Sequence, residues 1–130
     1  MSRSPSAPAT ARIVLVDDDD YVREVTEMVL TGAGHSVRST ASGLEALRFL
    51  EEEACDLLIA DLRMPEIDGP TLHREIVARW PHDGPRVLFV SGQTDAAGES
   101  TVAPLDVPVL VKPFTLDDLH AAVARLLTAP

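Results

Sequence analysis

The chain has one cysteine, Cys55, among 130 residues. No internal disulfide can form, and a reducing compartment is compatible. Cys55 lies just before the apolar run LLIA, which marks it as a small buried hydrophobe rather than a reactive thiol. No apolar stretch approaches the roughly 18 residues of a membrane-crossing helix. Basic residues are scarce: 11 Lys and Arg stand against 21 Asp and Glu, a net charge of −10. That balance disfavours nucleic acid and anionic membrane surfaces as partners, and it leaves basic protein patches and cations. The four histidines are scattered without ligand spacing, which argues against a zinc site.

What is present reads as one domain with a real core, since 45% of the residues are hydrophobic. The first eleven residues, MSRSPSAPATA, lack a hydrophobic signal segment and read as a disordered tail, leaving 12–130 as the folded part. Short apolar runs at 12–16, 56–60, 86–90 and 108–111, with a weaker one at 35–39, predict strands. Between them lie helical patterns. Val22, Val25 and Val29 fall at helical spacing within 20–31, and Gly32 and Gly34 mark the exit. Ser42 with Glu45 forms a capping-box pattern opening a helix with Leu44, Leu47 and Leu50 inward. Gly69-Pro70 opens the next, with Leu72, Ile76 and Trp80 on one face. Thr115, with Asp118 three residues on, opens the last, with Leu119, Val123, Leu126 and Leu127 inward. The signal between Ser91 and Pro108 is poor. Strands without polar alternation are covered on both faces, so the pattern predicts an α/β domain with a parallel sheet between helix layers.

The first strand ends in four consecutive carboxylates, Asp17 to Asp20. Two such charges about 4 Å apart repel by roughly 4 kcal/mol at an effective dielectric near 20. Bulk water, raised pKa values or a cation must offset that. In open parallel sheets, ligands sit beyond the carboxyl ends of the strands. Asp17 and Asp18 follow the first strand, Asp61 the third, Ser91 the fourth and Lys112 the fifth. In the doubly wound strand order 2-1-3-4-5, these groups meet at one end. Mg²⁺ suits such a carboxylate set, with Asp18 and Asp61 as direct ligands and Asp17 held through water. An aspartate can also be a nucleophile that forms an aspartyl-phosphate. Lys112 and the Ser91 hydroxyl could then bind phosphoryl oxygens, while Gly92 allows close backbone approach. A cis Lys112-Pro113 bond would aim the lysine from a tight turn.

These pieces together, IVLVDDD, DLRMPEIDG, the strand-ending Ser91 and KPF at residues 112–114, resemble the receiver domain of bacterial two-component response regulators over roughly residues 12–127. The resemblance implies a flavodoxin-like five-stranded sheet with helices on both faces. It implies Asp61 as phosphoacceptor, and Asp17, Asp18, Asp61 and the Arg63 backbone carbonyl around Mg²⁺. It further implies Ser91 as the hydroxyl that moves on activation and Lys112 as the phosphate-binding lysine. The implied partners are a histidine kinase or histidine phosphotransfer protein upstream and a protein target downstream, in the cytoplasm. The output face would comprise the fourth helix, fifth strand and fifth helix. The receiver would catalyse its own phosphorylation and dephosphorylation, without being an enzyme in the usual sense.

Two departures stand out. Val109 occupies the place, three residues before the lysine, where the family usually has Tyr or Phe, and it offers no ring to couple to Ser91. The irregular stretch before the fifth strand is more similar to receivers attached to hybrid sensor kinases, yet neither a kinase nor an output domain follows in this sequence.

Bland readings compete with sharp ones. Asp19 and Asp20 suit a helix start, as do Asp117 and Asp118, and Asp68 with Gly69 suits a turn. Arg63 could gate water or simply be exposed, and Gln93 could position a hydrolytic water or be a solvated loop residue. Two other functions compete as well. Asp17 and Asp19 loosely fit the Asp-x-Asp start of haloacid-dehalogenase-like phosphatases, although that leaves Asp61 unexplained. A receiver-like binding module that no longer uses phosphorylation is the other, and Val109 favours it.

Overall fold

The computed structural model describes residues 10–64, 66–91, 107–112 and 114–128. Strands β1 (Arg12–Val16), β2 (Ser36–Thr40), β3 (Leu57–Asp61), β4 (Arg86–Ser91) and β5 (Val109–Val111) alternate with helices. These are α1 (Asp20–Gly32), α2 (Gly43–Glu52), α3 (Gly69–Arg79) and α4 (Leu116–Thr128). All strand pairings are parallel, in the order β2-β1-β3-β4-β5. This is the flavodoxin-like doubly wound sheet that the sequence predicts. The element expected between β4 and β5, Gly92, Gln93 and the Lys112-Pro113 bond all involve positions outside the described residues, as does most of the tail. Ala11 belongs with the fold, because its carbonyl accepts from Ser36 N–H at 2.9 Å.

The central strands bury successive side chains on opposite faces. Val14, Val16, Leu58, Ala60 and Phe89 meet α2 and α3 through Ala46, Leu47, Leu50, Leu72 and Ile76. Ile13, Leu15, Leu57, Ile59 and Leu88 meet α1 and α4 through Leu30, Leu119, Ala122 and Val123. Each large aliphatic buried in this way contributes roughly 1.5–3 kcal/mol. Gly69 is small of necessity, since a Cβ there would stand 2.9 Å from Phe89 Cε1 and 3.1 Å from Leu62 Cα. Gly34, at φ 102°, supplies the left-handed residue that leaves α1 for β2.

Several local expectations need correction. Leu44 is 52% exposed; the buried stripe of α2 is Gly43, Ala46, Leu47 and Leu50, with Gly43 tucked against the Ile67 side chain. Val25 is 38% exposed, and Thr26 and Leu30 are the buried residues of α1. Trp80, Leu126 and Leu127 flank the core half-buried. β2 and β3 start one residue later than predicted, because His35 N–H still bonds Leu30 at the helix exit and Asp56 instead caps the start of β1, its carboxylate accepting from Arg12 N–H at 2.8 Å. The Ser42 cap is one-armed: its oxygen accepts from Glu45 N–H at 3.2 Å, but the Glu45 carboxylate accepts from the Thr40 hydroxyl instead. Thr115 and Asp118 do form the reciprocal pair, at 3.0 and 3.1 Å.

Candidate functional site

Parallel register decides which residues meet. Val16 sits beside Ala60 and Asp61 beside Val90, so the residues just beyond β1 and β3 share one end of the sheet. β5 lies on the far side of β4, with Lys112 N–H donating to the Ser91 carbonyl at 2.6 Å. Lys112 Nζ reaches back across β4 to stand 3.6 Å from Asp61 Oδ2 and 3.8 Å from Asp17 Oδ2.

Asp17, Asp18 and Asp61 each present a carboxylate oxygen within 4.8 Å of the others. Their surroundings differ. Asp17 is buried; its Oδ1 accepts from Asp19 N–H at 2.9 Å and its own N–H donates to the Thr40 carbonyl at 3.1 Å. Asp61 is half-buried, and its Oδ1 accepts from Arg63 N–H at 3.2 Å. Asp18 is exposed, and among the described residues no hydrogen bond or ion pair restrains its carboxylate.

Burial raises the Asp17 pKa most, with Asp61 and Asp18 adding repulsion, against lowering by the Asp19 N–H and Lys112. Asp61 is raised for the same leading reason, opposed by the Arg63 N–H and Lys112 and reinforced by Asp18. One ammonium therefore does not neutralise the three carboxylates. Hard oxygen donors this close, partly desolvated and still electrostatically unfavourable, fit a small divalent cation such as Mg²⁺.

The other predicted residues fall around this centre. Ser91 is buried at the end of β4. Arg63 lies exposed two residues beyond Asp61, in the turn its N–H makes with the Asp61 carboxylate. Val109 is half-buried against the Phe89 side of the core. Asp19 is committed elsewhere: it caps α1, its Oδ1 accepting from Tyr21 and Val22 N–H at 3.0 and 3.1 Å. The acid that a phosphatase reading requires in the pocket is thus absorbed by the helix start. Asp20 pairs with Arg23 at 2.8 Å. Asp68 caps α3 through Thr71 N–H at 2.8 Å, and that bond lowers its pKa.

Sequence reasoning missed Arg23, whose Nη1 donates to the Asp17 carbonyl at 2.8 Å. Its spacing of three from Asp20 signals a helical ion pair, but nothing in the sequence signals the reach to Asp17.

Comparison with known proteins agrees with this geometry. The family model for the response regulator receiver domain matches residues 13–124. The chain is 35% identical over 119 residues to the response regulator receiver protein CpdR of Brucella abortus, covering 91% of this chain and 98% of that protein. It is 36% identical over 130 residues to the sensor kinase CckA of the same organism, but there it spans 14% of the relative's length. It spans 24% of the transcriptional regulator NtrC of Klebsiella pneumoniae, at 37% identity. Among solved structures, a response regulator receiver domain protein from Clostridium thermocellum superimposes with a TM-score of 0.81 at 28% identity, covering 90% of this chain and 94% of that one. The receiver domain of a signal transduction histidine kinase from Syntrophus aciditrophicus gives 0.82 at 27%, covering 91% and 90%.

Proposed function

Because this chain belongs to the response regulator receiver domain family, we propose that it accepts a phosphoryl group on Asp61 from a phosphohistidine donor, in a Mg²⁺-dependent reaction. The observation that carries the proposal is the joint approach of the Asp17, Asp18 and Asp61 carboxylates with Lys112 Nζ at the carboxyl end of the sheet.

An Asp61 carboxylate oxygen forms the new bond to phosphorus as the bond from phosphorus to the donor's imidazole nitrogen breaks. The imidazole leaves with the bonding electron pair and takes up a proton. Asp18, Asp61 and the Arg63 carbonyl would hold Mg²⁺, with Asp17 acting through water. The ion would supply positive charge to the phosphoryl oxygens during transfer. Lys112 already stands beside Asp61 and would pair with one phosphoryl oxygen, and the Ser91 hydroxyl would donate to another. The same groups would assist water in hydrolysing the acyl phosphate, returning the carboxylate and inorganic phosphate.

The charge at this site suits a protein donor that brings basic groups to an acidic face. The match over nearly all of CpdR, a response regulator receiver protein, supports signalling through protein contact. CckA and NtrC carry the same kind of match within much longer chains. Among the described residues no helix is long and apolar enough to cross a membrane. Val109 favours one second reading, a receiver whose pocket persists without phosphorylation.

Acetyl phosphate with Mg²⁺, read by intact mass, separates these. One phosphoryl adduct is expected, lost on chelation and lost in Asp61→Asn. No adduct favours the binding module, and steady turnover of small phosphate esters favours a phosphatase.

A further inference from the structure

We propose that Arg23 is a positioning residue for the metal-binding acids, an inference that rests on the magnesium reading above. Asp18 has an exposed carboxylate that no described residue restrains, so its backbone must determine its aim. That backbone begins at the Asp17 carbonyl, one half of the peptide plane joining the two acids. Arg23 Nη1 donates to this oxygen at 2.8 Å, while Nη2 holds Asp20 Oδ1 at 2.8 Å. The Arg23 N–H donates to the Asp19 carbonyl at 2.9 Å. One planar guanidinium, its side chain only 18% exposed, thus ties the end of β1 to the first turn of α1.

The remaining polar groups of Asp17 are also engaged, its N–H by Thr40, Oδ1 by Asp19 and Oδ2 by Lys112 at 3.8 Å. The peptide between Asp17 and Asp18 is therefore held at its carbonyl and at the residue before it. The fork matters, because an ammonium is a point charge and cannot present two parallel donors.

Arg23 is also a cation, bonded to the Asp17 carbonyl and paired with Asp20 beside the cluster, and the two roles predict opposite signs. If the residue acted only through charge, removing it would strengthen Mg²⁺ binding. If it positions Asp18, removal weakens binding. Outer-shell changes of this kind typically cost about 10-fold or more in metal affinity.

The test is calorimetric titration of the full chain with Mg²⁺ alone, for wild type, Arg23→Met and Arg23→Lys, alongside melting in chelator. Both variants are expected to bind about 10-fold more weakly, including the lysine variant that keeps the charge. Tighter binding by the methionine variant, or wild-type affinity in the lysine variant, overturns the proposal. Loss of melting in both variants makes Arg23 a folding residue and overturns it too. If wild type binds no Mg²⁺, the magnesium reading itself has failed and this inference falls with it.

Discussion

Asp61 carries two conflicting demands. The proposed attack on phosphorus requires it to be anionic, yet burial and Asp18 raise its pKa. A group whose folded pKa lies above its unfolded value is proton-richer in the folded state. Stability therefore rises as pH falls through that folded value towards 3.8, and at neutral pH the ionised cluster costs stability. Asp61→Asn is accordingly expected to raise the melting temperature in chelator. Mg²⁺ should raise the melting temperature of wild type and have much less effect on the variant. Differential scanning calorimetry with and without the ion checks both.

His35 works in the opposite direction. It is buried, its Nδ1 has no hydrogen-bond partner among the described residues, and burial, with His120 secondarily, lowers its pKa. The unfolded chain then binds the proton more readily, so stability falls as pH drops below about 6.5 towards the folded value. Urea midpoints between pH 7.5 and 5.5 should fall less steeply in His35→Phe than in wild type. Burial pushes the Cys55 thiol up to about 11, which keeps it protonated at neutral pH, and its Sγ–H faces the Leu57 carbonyl at 3.5 Å.

At the scale of elements, helix ends take up several acidic residues outside the candidate site. Asp19 and Asp68 cap helices, and Asp118 completes the Thr115 box. Thr115→Ala should cost about 1 kcal/mol, which for a chain this size lowers the melting temperature by roughly 3–5 °C. A loss confined to the last helix would appear first as faster amide exchange in α4.

The central strands β1, β3 and β4 are legible because buried parallel strands are short, branched and apolar, and each here ends in or runs directly into a polar residue. Helix faces are less so. Leu44 looked inward because leucine usually is, but Gly43 takes the buried position where Ile67 closes over it. The second arm of the Ser42 cap was invisible for a related reason. Glu45 had a nearer partner in Thr40, a residue brought by strand pairing rather than by helical spacing.

At the scale of the molecule, one topological fact assembles the site. With β1 between β2 and β3, and β4 and β5 stacked beyond, Asp17, Asp61 and Lys112 converge from segments 44 and 51 residues apart. The strand-end residues could be read from the sequence because their convergence follows from the sheet order. Arg23 could not, since its bond to the Asp17 carbonyl depends on how the β1–α1 turn closes. Val109 bears on the next step, from phosphorylation to output. It packs against the Phe89 side of the core and supplies no aromatic ring there.

The proposed function rests on oxygens from the ends of β1 and β3 holding one divalent ion beside a phosphorylated Asp61. The most direct measurement is a crystal structure with Mg²⁺ and beryllium fluoride. The expected density shows the ion between Asp18 and Asp61, with the fluoride adduct on Asp61 and in contact with Lys112. An empty pocket, or an ion held without Asp61, would contradict the account.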